Sequence, residues 1–106
     1  MIESFSDSRC ADSRAMAARL AALSHPARIE ILKHLSASRC CSCREVVEHL
    51  DLAQSTVSQH LKILVEAGFV RFEADRQRSR YAVDHAALAG VSASLTDLVK
   101  SCCPSR

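Results

Sequence analysis

The sequence predicts one small, mainly α-helical domain that carries a two-stranded β-hairpin. Its 106 residues are 48% hydrophobic, with 14 basic against 12 acidic side chains, which is the size and balance of a single folded unit and not of a two-domain enzyme. With Gly 2 and Pro 2 there are few helix breakers, and none of the low complexity of disordered or collagen-like chains. Apolar residues recur at helical spacing along most of the chain and switch to strict alternation only after Gly68.

The elements follow in order. Residues 1–11 are expected to be a flexible N-terminal arm. From Asp12 to Leu23 the run is rich in Ala and Leu, and Met16, Leu20 and Leu23 share one face of a first helix. Ser24-His25-Pro26 interrupts it, because the residue before a proline is pushed out of the helical region while proline itself suits the first turn of a new helix. The second helix, Pro26 to Leu35, is expected to bury Ile29, Ile31, Leu32 and Leu35 and to leave Arg28, Glu30, Lys33 and His34 mostly outside. Residues 36–42 read as a polar connector carrying Cys40 and Cys41. Ser42-Cys43-Arg44-Glu45 matches a capping box, so a third helix begins near Cys43, with Val46, Val47 and Leu50 apolar, and runs to Asp51.

Leu52-Ala53-Gln54 forms a brief turn into a fourth helix, and Gly68 is placed as the residue just past its end. On that helix Val57, Leu61, Leu64 and Val65 share the buried face, while Ser55, Ser58, Gln59 and Lys62 point away. A short helix, a tight turn and a second helix with a polar outer face is the helix-turn-helix arrangement, whose second helix enters the major groove. Next, Phe69 to Ala74 and Arg80 to Val83 alternate on either side of the polar stretch 75–79, predicting a β-hairpin with Phe69, Phe72 and Tyr81 as core-facing anchors. A last helix from His85 to about Cys103 repeats Leu88, Val91, Leu95, Leu98 and Cys102 at spacings of three and four, a coiled-coil-like seam for its own domain or for a twin. Residues 104–106 are expected to form a tail.

Several function classes fall away. No apolar run approaches the roughly 18 to 20 residues of a membrane span, and the polar start MIESFSDSRC lacks the hydrophobic stretch of a signal peptide; a cytoplasmic protein is expected, with no membrane partner. No nucleophile–base–orienter grouping and no glycine-rich phosphate loop is present, so the chain is not expected to be an enzyme or to hold a permanent cofactor. A net charge of +2 does not by itself argue for nucleic acid; the distribution of polar groups does. Ser55, Ser58, Gln59 and Lys62, with Gln54 at the turn, offer donors and acceptors for base edges and phosphates, and a Gln amide can pair with adenine. Arg76, Arg78 and Arg80 on the hairpin would reach phosphates or the minor groove of double-stranded DNA.

The oddity of the composition is its cysteines: Cys10, Cys40, Cys41, Cys43, Cys102 and Cys103. Without an export signal they point to metal binding or thiol redox chemistry and not to structural disulfides, and Cys41 and Cys43 are too close to staple a fold usefully.

The stretches Leu23 to Leu32 (LSHPARIEIL), Gln54 to Leu64 (QSTVSQHLKIL) and Ala67 to Val70 (AGFV) resemble the ArsR family, also called ArsR/SmtB, of metalloregulatory repressors. The resemblance runs from about Met16 to the end of the chain. It implies a winged helix-turn-helix homodimer joined through the first and last helices, bound to an operator overlapping its own promoter and released by an inducer. Gln54, Ser55, Thr56, Ser58, Gln59 and Lys62 of the fourth helix, with the wing arginines, would contact DNA. In the arsenic and cadmium branches a Cys-x-Cys sits at the start of the third helix, a position that Cys41 and Cys43 match.

Soft thiolates select thiophilic centres such as trivalent arsenic or antimony, cadmium or lead, and the free amides of a helix N-terminus favour the thiolate. Pyramidal arsenic needs three sulfurs. The family's common third cysteine is Val46 here, which leaves Cys40, on flexible backbone beside the pair, or Cys10, arriving from a partner's arm, to complete the set. Cys102 and Cys103 form a vicinal pair that could chelate separately. The zinc-type site of other branches is expected to be absent, since Asp84 and His85 are adjacent where the pattern wants Asp-x-His; Asp84 reads as a helix N-cap. His25, His34, His49 and His60 read as surface or packing residues.

The leading expectation is therefore a repressor released by trivalent arsenic or antimony through Cys40, Cys41 and Cys43. The alternatives are a thiol redox or sulfide-responsive repressor, a cadmium or lead sensor and, in a different class, a cytosolic metal buffer or chaperone.

Overall fold

The computed structural model describes the backbone of residues 8–38, 40–75 and 78–103, and the side chains of residues 11–37, 42–74 and 79–103. Five helices and three strands lie among them: α1 (Ser8–Ala22), α2 (Pro26–Ser38), β1 (Cys40–Cys41), α3 (Cys43–Leu50), α4 (Gln54–Glu66), β2 (Val70–Asp75), β3 (Arg78–Val83) and α5 (His85–Cys102). This is the helix-turn-helix with its wing that the patterning predicts, with a short additional strand.

Helix α1 starts at Ser8, ahead of the expected Asp12, and so takes in the last residues of the expected arm. Its end is set by Ser24, whose Oγ donates to the Ala21 carbonyl at 2.7 Å. The Arg28 guanidinium then reaches back to the Ala22 and Ala21 carbonyls at 3.1 and 3.3 Å, placing a cation where the carbonyl end of a helix is negative. Pro26 opens α2, and His25 accepts at Nδ1 from the Ala27 amide at 3.0 Å. Ile31 and Leu35 are fully buried. Ile29, expected inside, is 43% exposed, because the buried stripe of α2 is narrower than its apolar content. The helix continues to Ser38, replacing the first part of the expected connector.

The sheet is antiparallel with order β1-β3-β2. Pairs Val70↔Val83, Phe72↔Tyr81, Glu73↔Arg80 and Asp75↔Arg78 show that both hairpin strands run further than expected, so most of the polar stretch 75–79 is ladder and not loop. Val70 and Val83 are buried and Tyr81 is half-buried against the core, whereas Phe72 is 49% exposed. The anchoring role expected of Phe72 is corrected accordingly. Its ring instead lies against the outer side of Tyr81, with centroids 5.3 Å apart.

The core gathers Ala22, Ile31, Leu32, Leu35, Val46, Val57, Leu61, Leu64, Phe69, Val70, Val83 and Val91. Helix α5, capped by Asp84 accepting from the Ala87 amide at 3.1 Å, buries only Val91; Leu95, Leu98 and Val99 remain exposed. It packs along α1. The radius of gyration is 16.5 Å, against about 13 Å for a compact chain of this length, so the protomer is elongated. No helix of the described residues is long and apolar enough to cross a membrane.

Candidate nucleic-acid interface and thiol cluster

Local rules build the reading unit. Ser42 closes the capping box of α3: its Oγ accepts from the Glu45 amide at 3.2 Å, and its own amide donates to Glu45 Oε1 at 2.8 Å. The helix ends on Asp51 in the left-handed region, φ 58°, which a short polar side chain tolerates. Two residues later α4 begins with Ala53 as its N-cap and no side-chain cap, so its first amides are left to solvent or to a ligand. Gly68 N donates to Val65 O and Phe69 N to Leu64 O, both at 3.0 Å, with Gly68 at φ +89°. This is a Schellman ending, and its apolar contact falls between the fully buried Leu64 and Phe69.

Val57, His60, Leu61 and Leu64 hold α4 in the core. The opposite face shows every candidate side chain of that helix: Gln54, Ser55, Thr56, Ser58, Gln59 and Lys62 are all exposed. His60 is clamped from behind, accepting at Nδ1 from Arg28 Nε at 3.2 Å and lying 4.4 Å from the His25 ring. Burial, then His25 and Arg28, hold its pKa below the ordinary 6.5. A second pair, His34 and His49, stacks at 4.1 Å across α2 and α3, and His34 is likewise lowered by burial and by His49.

On the wing, register assigns the faces. Val70, Phe72, Tyr81 and Val83 share one, while Arg71, Glu73, Arg80 and Ala82 share the other. Arg80 is exposed on that second face and Arg78 stands two positions from it on β3. The Arg78 side chain and all of Arg76 lie outside the described residues. Arg71, not among the expected contacts, is exposed on the same face as Arg80.

The thiols divide by place. Cys40 and Cys41, expected on flexible backbone, form β1 and pair with Ala82 and Tyr81 of β3; their side chains lie outside the described residues. Cys43, half-buried, is the first residue of α3. Its Sγ stands 3.6 Å from Ser58 Oγ on α4, and it is near enough to Tyr81 to add to the burial that raises that phenol's pKa. An open cleft of about 580 Å³ joins Cys43, Glu45 and Glu48 to Gln54 of α4 and Ser79 of β3. Cys10 sits on α1, its side chain outside the described residues. Cys102 ends α5 and Cys103 caps it, both exposed. Among the described residues no three His, Cys, Asp or Glu side chains converge as metal ligands.

Comparison with known proteins agrees with this fold. Residues 23–71 match a family model described as a helix-turn-helix domain. The chain is 34% identical over 76 residues to the arsenical resistance operon repressor of Staphylococcus xylosus, covering 72% of each protein. It is 37% identical over 62 residues to the "probable mercury resistance operon repressor" of Streptomyces lividans, covering 58% of this chain and 49% of that one. Among solved structures it superposes with TM-score 0.73 and 20% identity on the homodimeric winged helix-turn-helix DNA-binding domain of a "possible ArsR-family transcriptional regulator" from Mycobacterium bovis, covering 90% of this chain and 88% of that one.

Proposed function

Because the chain belongs to the ArsR family, we propose that it is a homodimeric repressor that binds double-stranded operator DNA and is released when trivalent arsenic or antimony binds its cysteine thiolates. The observation that carries this reading is the siting of the thiols. Cys43 opens the first helix of the reading pair and touches the second, and the strand bearing Cys40 and Cys41 is paired to the wing. An ion bound by Cys43 and by a cysteine of that strand acts on all three elements that would face DNA.

In the DNA-bound form Gln54, Ser55, Thr56, Ser58, Gln59 and Lys62 meet base edges and phosphates, with Arg76, Arg78 and Arg80 supplying backbone or minor-groove contacts. Dimerisation through α1 and α5 would cover the exposed Leu95, Leu98 and Val99 and set two α4 helices one helical turn of DNA apart. The inducer needs only to favour a geometry that misplaces them. A coupling of about 1–3 kcal/mol is usual for such a switch. Thiolates suit arsenic, antimony, cadmium or lead, and exclude hard cations that want oxygen. A cytoplasmic location fits this role.

The test is operator affinity at fixed salt, since salt alone shifts DNA binding by orders of magnitude. Arsenite is expected to dissociate wild-type protein from its operator and to leave the Cys41→Ser, Cys43→Ser double variant bound. Equal release of both would refute the proximal site and point to Cys102 and Cys103.

A further inference from the structure

We propose that Ser58 is the positioning residue through which the ligation state of Cys43 reaches the DNA-reading helix. This rests on the thiol site proposed above and concerns how its occupation is transmitted. Cys43 Sγ and Ser58 Oγ are 3.6 Å apart, and either atom can be the donor. Ser58 otherwise belongs to the exposed face of α4, beside Ser55, Gln59 and Lys62, so one hydroxyl serves two neighbours: the sulfur behind it and the nucleic acid in front.

A hydroxyl has one hydrogen to donate and two lone pairs to accept with. While Cys43 is a free thiol, its S–H donates to the Ser58 oxygen and leaves the Ser58 hydrogen for a phosphate or base acceptor. Phosphate oxygens have no hydrogen of their own, so this is the orientation that binds DNA. When arsenous acid reacts, an S–As bond forms and an As–OH bond breaks, and the thiol hydrogen leaves with that hydroxyl as water. The coordinated sulfur can then only accept. The hydrogen bond left to the pair is O–H···S, which turns the Ser58 hydrogen inward and presents its lone pairs to the phosphate. Each half-site loses a donor and gains a repulsion, which adds to any misplacement of the two α4 helices.

The experiment uses the full chain and a labelled operator at one salt concentration. Operator affinity is measured with and without arsenite for wild type, Ser58→Ala and Ser58→Thr, and X-ray absorption together with thiol-alkylation mass spectrometry reports whether arsenic is bound at Cys43. Ser58→Ala is expected to bind arsenite at Cys43 as wild type does, while the ratio of affinities without and with arsenite shrinks by about tenfold or more, the lower end of the worth of one hydrogen bond to a charged group. Ser58→Thr, which keeps the hydroxyl, is expected to restore the wild-type ratio. A wild-type ratio in Ser58→Ala with arsenic still on Cys43, or no restoration by threonine, overturns the relay and leaves the thiol site standing. Arsenic bound with Cys43 free overturns both.

Discussion

Replacing Leu95 and Val99 together by lysine is expected to dissociate the proposed dimer without unfolding the protomer. The two side chains lie four apart on α5 and are 39% and 58% exposed. Complete burial of such a side chain is worth about 1.5–3 kcal/mol, so covering the exposed half of each contributes about 1 kcal/mol. A two-fold interface counts each residue twice, which puts the loss at about 4 kcal/mol, or roughly a thousandfold in the dissociation constant. Four ammonium groups brought together across the axis add to it. The helix itself has no reason to suffer, since lysine is a good helix former and a cation near a helix C-terminus is favourable. Sedimentation velocity across micromolar concentrations reads the dimer, circular dichroism reads the fold, and operator affinity should fall as the dimer is lost because a lone half-site is weak. A double variant that stays dimeric at wild-type concentrations would refute this use of α5.

Two further outcomes concern the fold that carries the site. Gly68 has φ +89° with nothing within 4 Å of where a Cβ would stand, so Gly68→Ala costs backbone strain alone, about 1–2 kcal/mol; its Tm should fall by roughly 4–8 °C per kcal/mol, and Gly68→Asn should recover part of the loss, with equal losses in both variants arguing against strain. His60 accepts from Arg28 only as the neutral imidazole, and its pKa is held below 6.5 by burial, His25 and Arg28; the unfolded chain therefore takes up protons first as pH drops. Stability is fully present above about 6.5 and is lost as pH falls below it, with His34 acting in the same sense. The urea midpoint should drop from pH 7.5 to 5.5 and drop less in His60→Asn; parallel curves would remove His60 as a cause.

Much of the reading unit was legible because its determinants are local. The capping box at Ser42, the glycine past α4, the cap at Asp84 and the alternation after Gly68 each act within a few residues, so a linear sequence displays them. The exposed face of α4 followed from placing Val57, Leu61, Leu64 and Val65 inside at helical spacing; the structure buries the first three and leaves Val65 half-buried, with His60 the fourth buried residue. The three motifs quoted from Leu23 to Val70 were enough for the family. Misjudged positions were those whose environment depends on how far the core extends: Ile29 and Phe72 have apolar side chains at the right period, yet the core ends before it reaches them.

The sequence by itself determined the helices, the hairpin, the polar face of α4 and the grouping of the cysteines into a proximal trio, a distal pair and Cys10, since periodicity, capping and order along the chain decide these. Only the tertiary structure decided that Cys40 and Cys41 are paired to the wing and that Cys43 meets Ser58. Those partners are separated by 15 residues or more in the chain. Nothing in local preference distinguishes a two-residue strand from a loop; the ladder forms because β3 offers a free edge beside the start of α3.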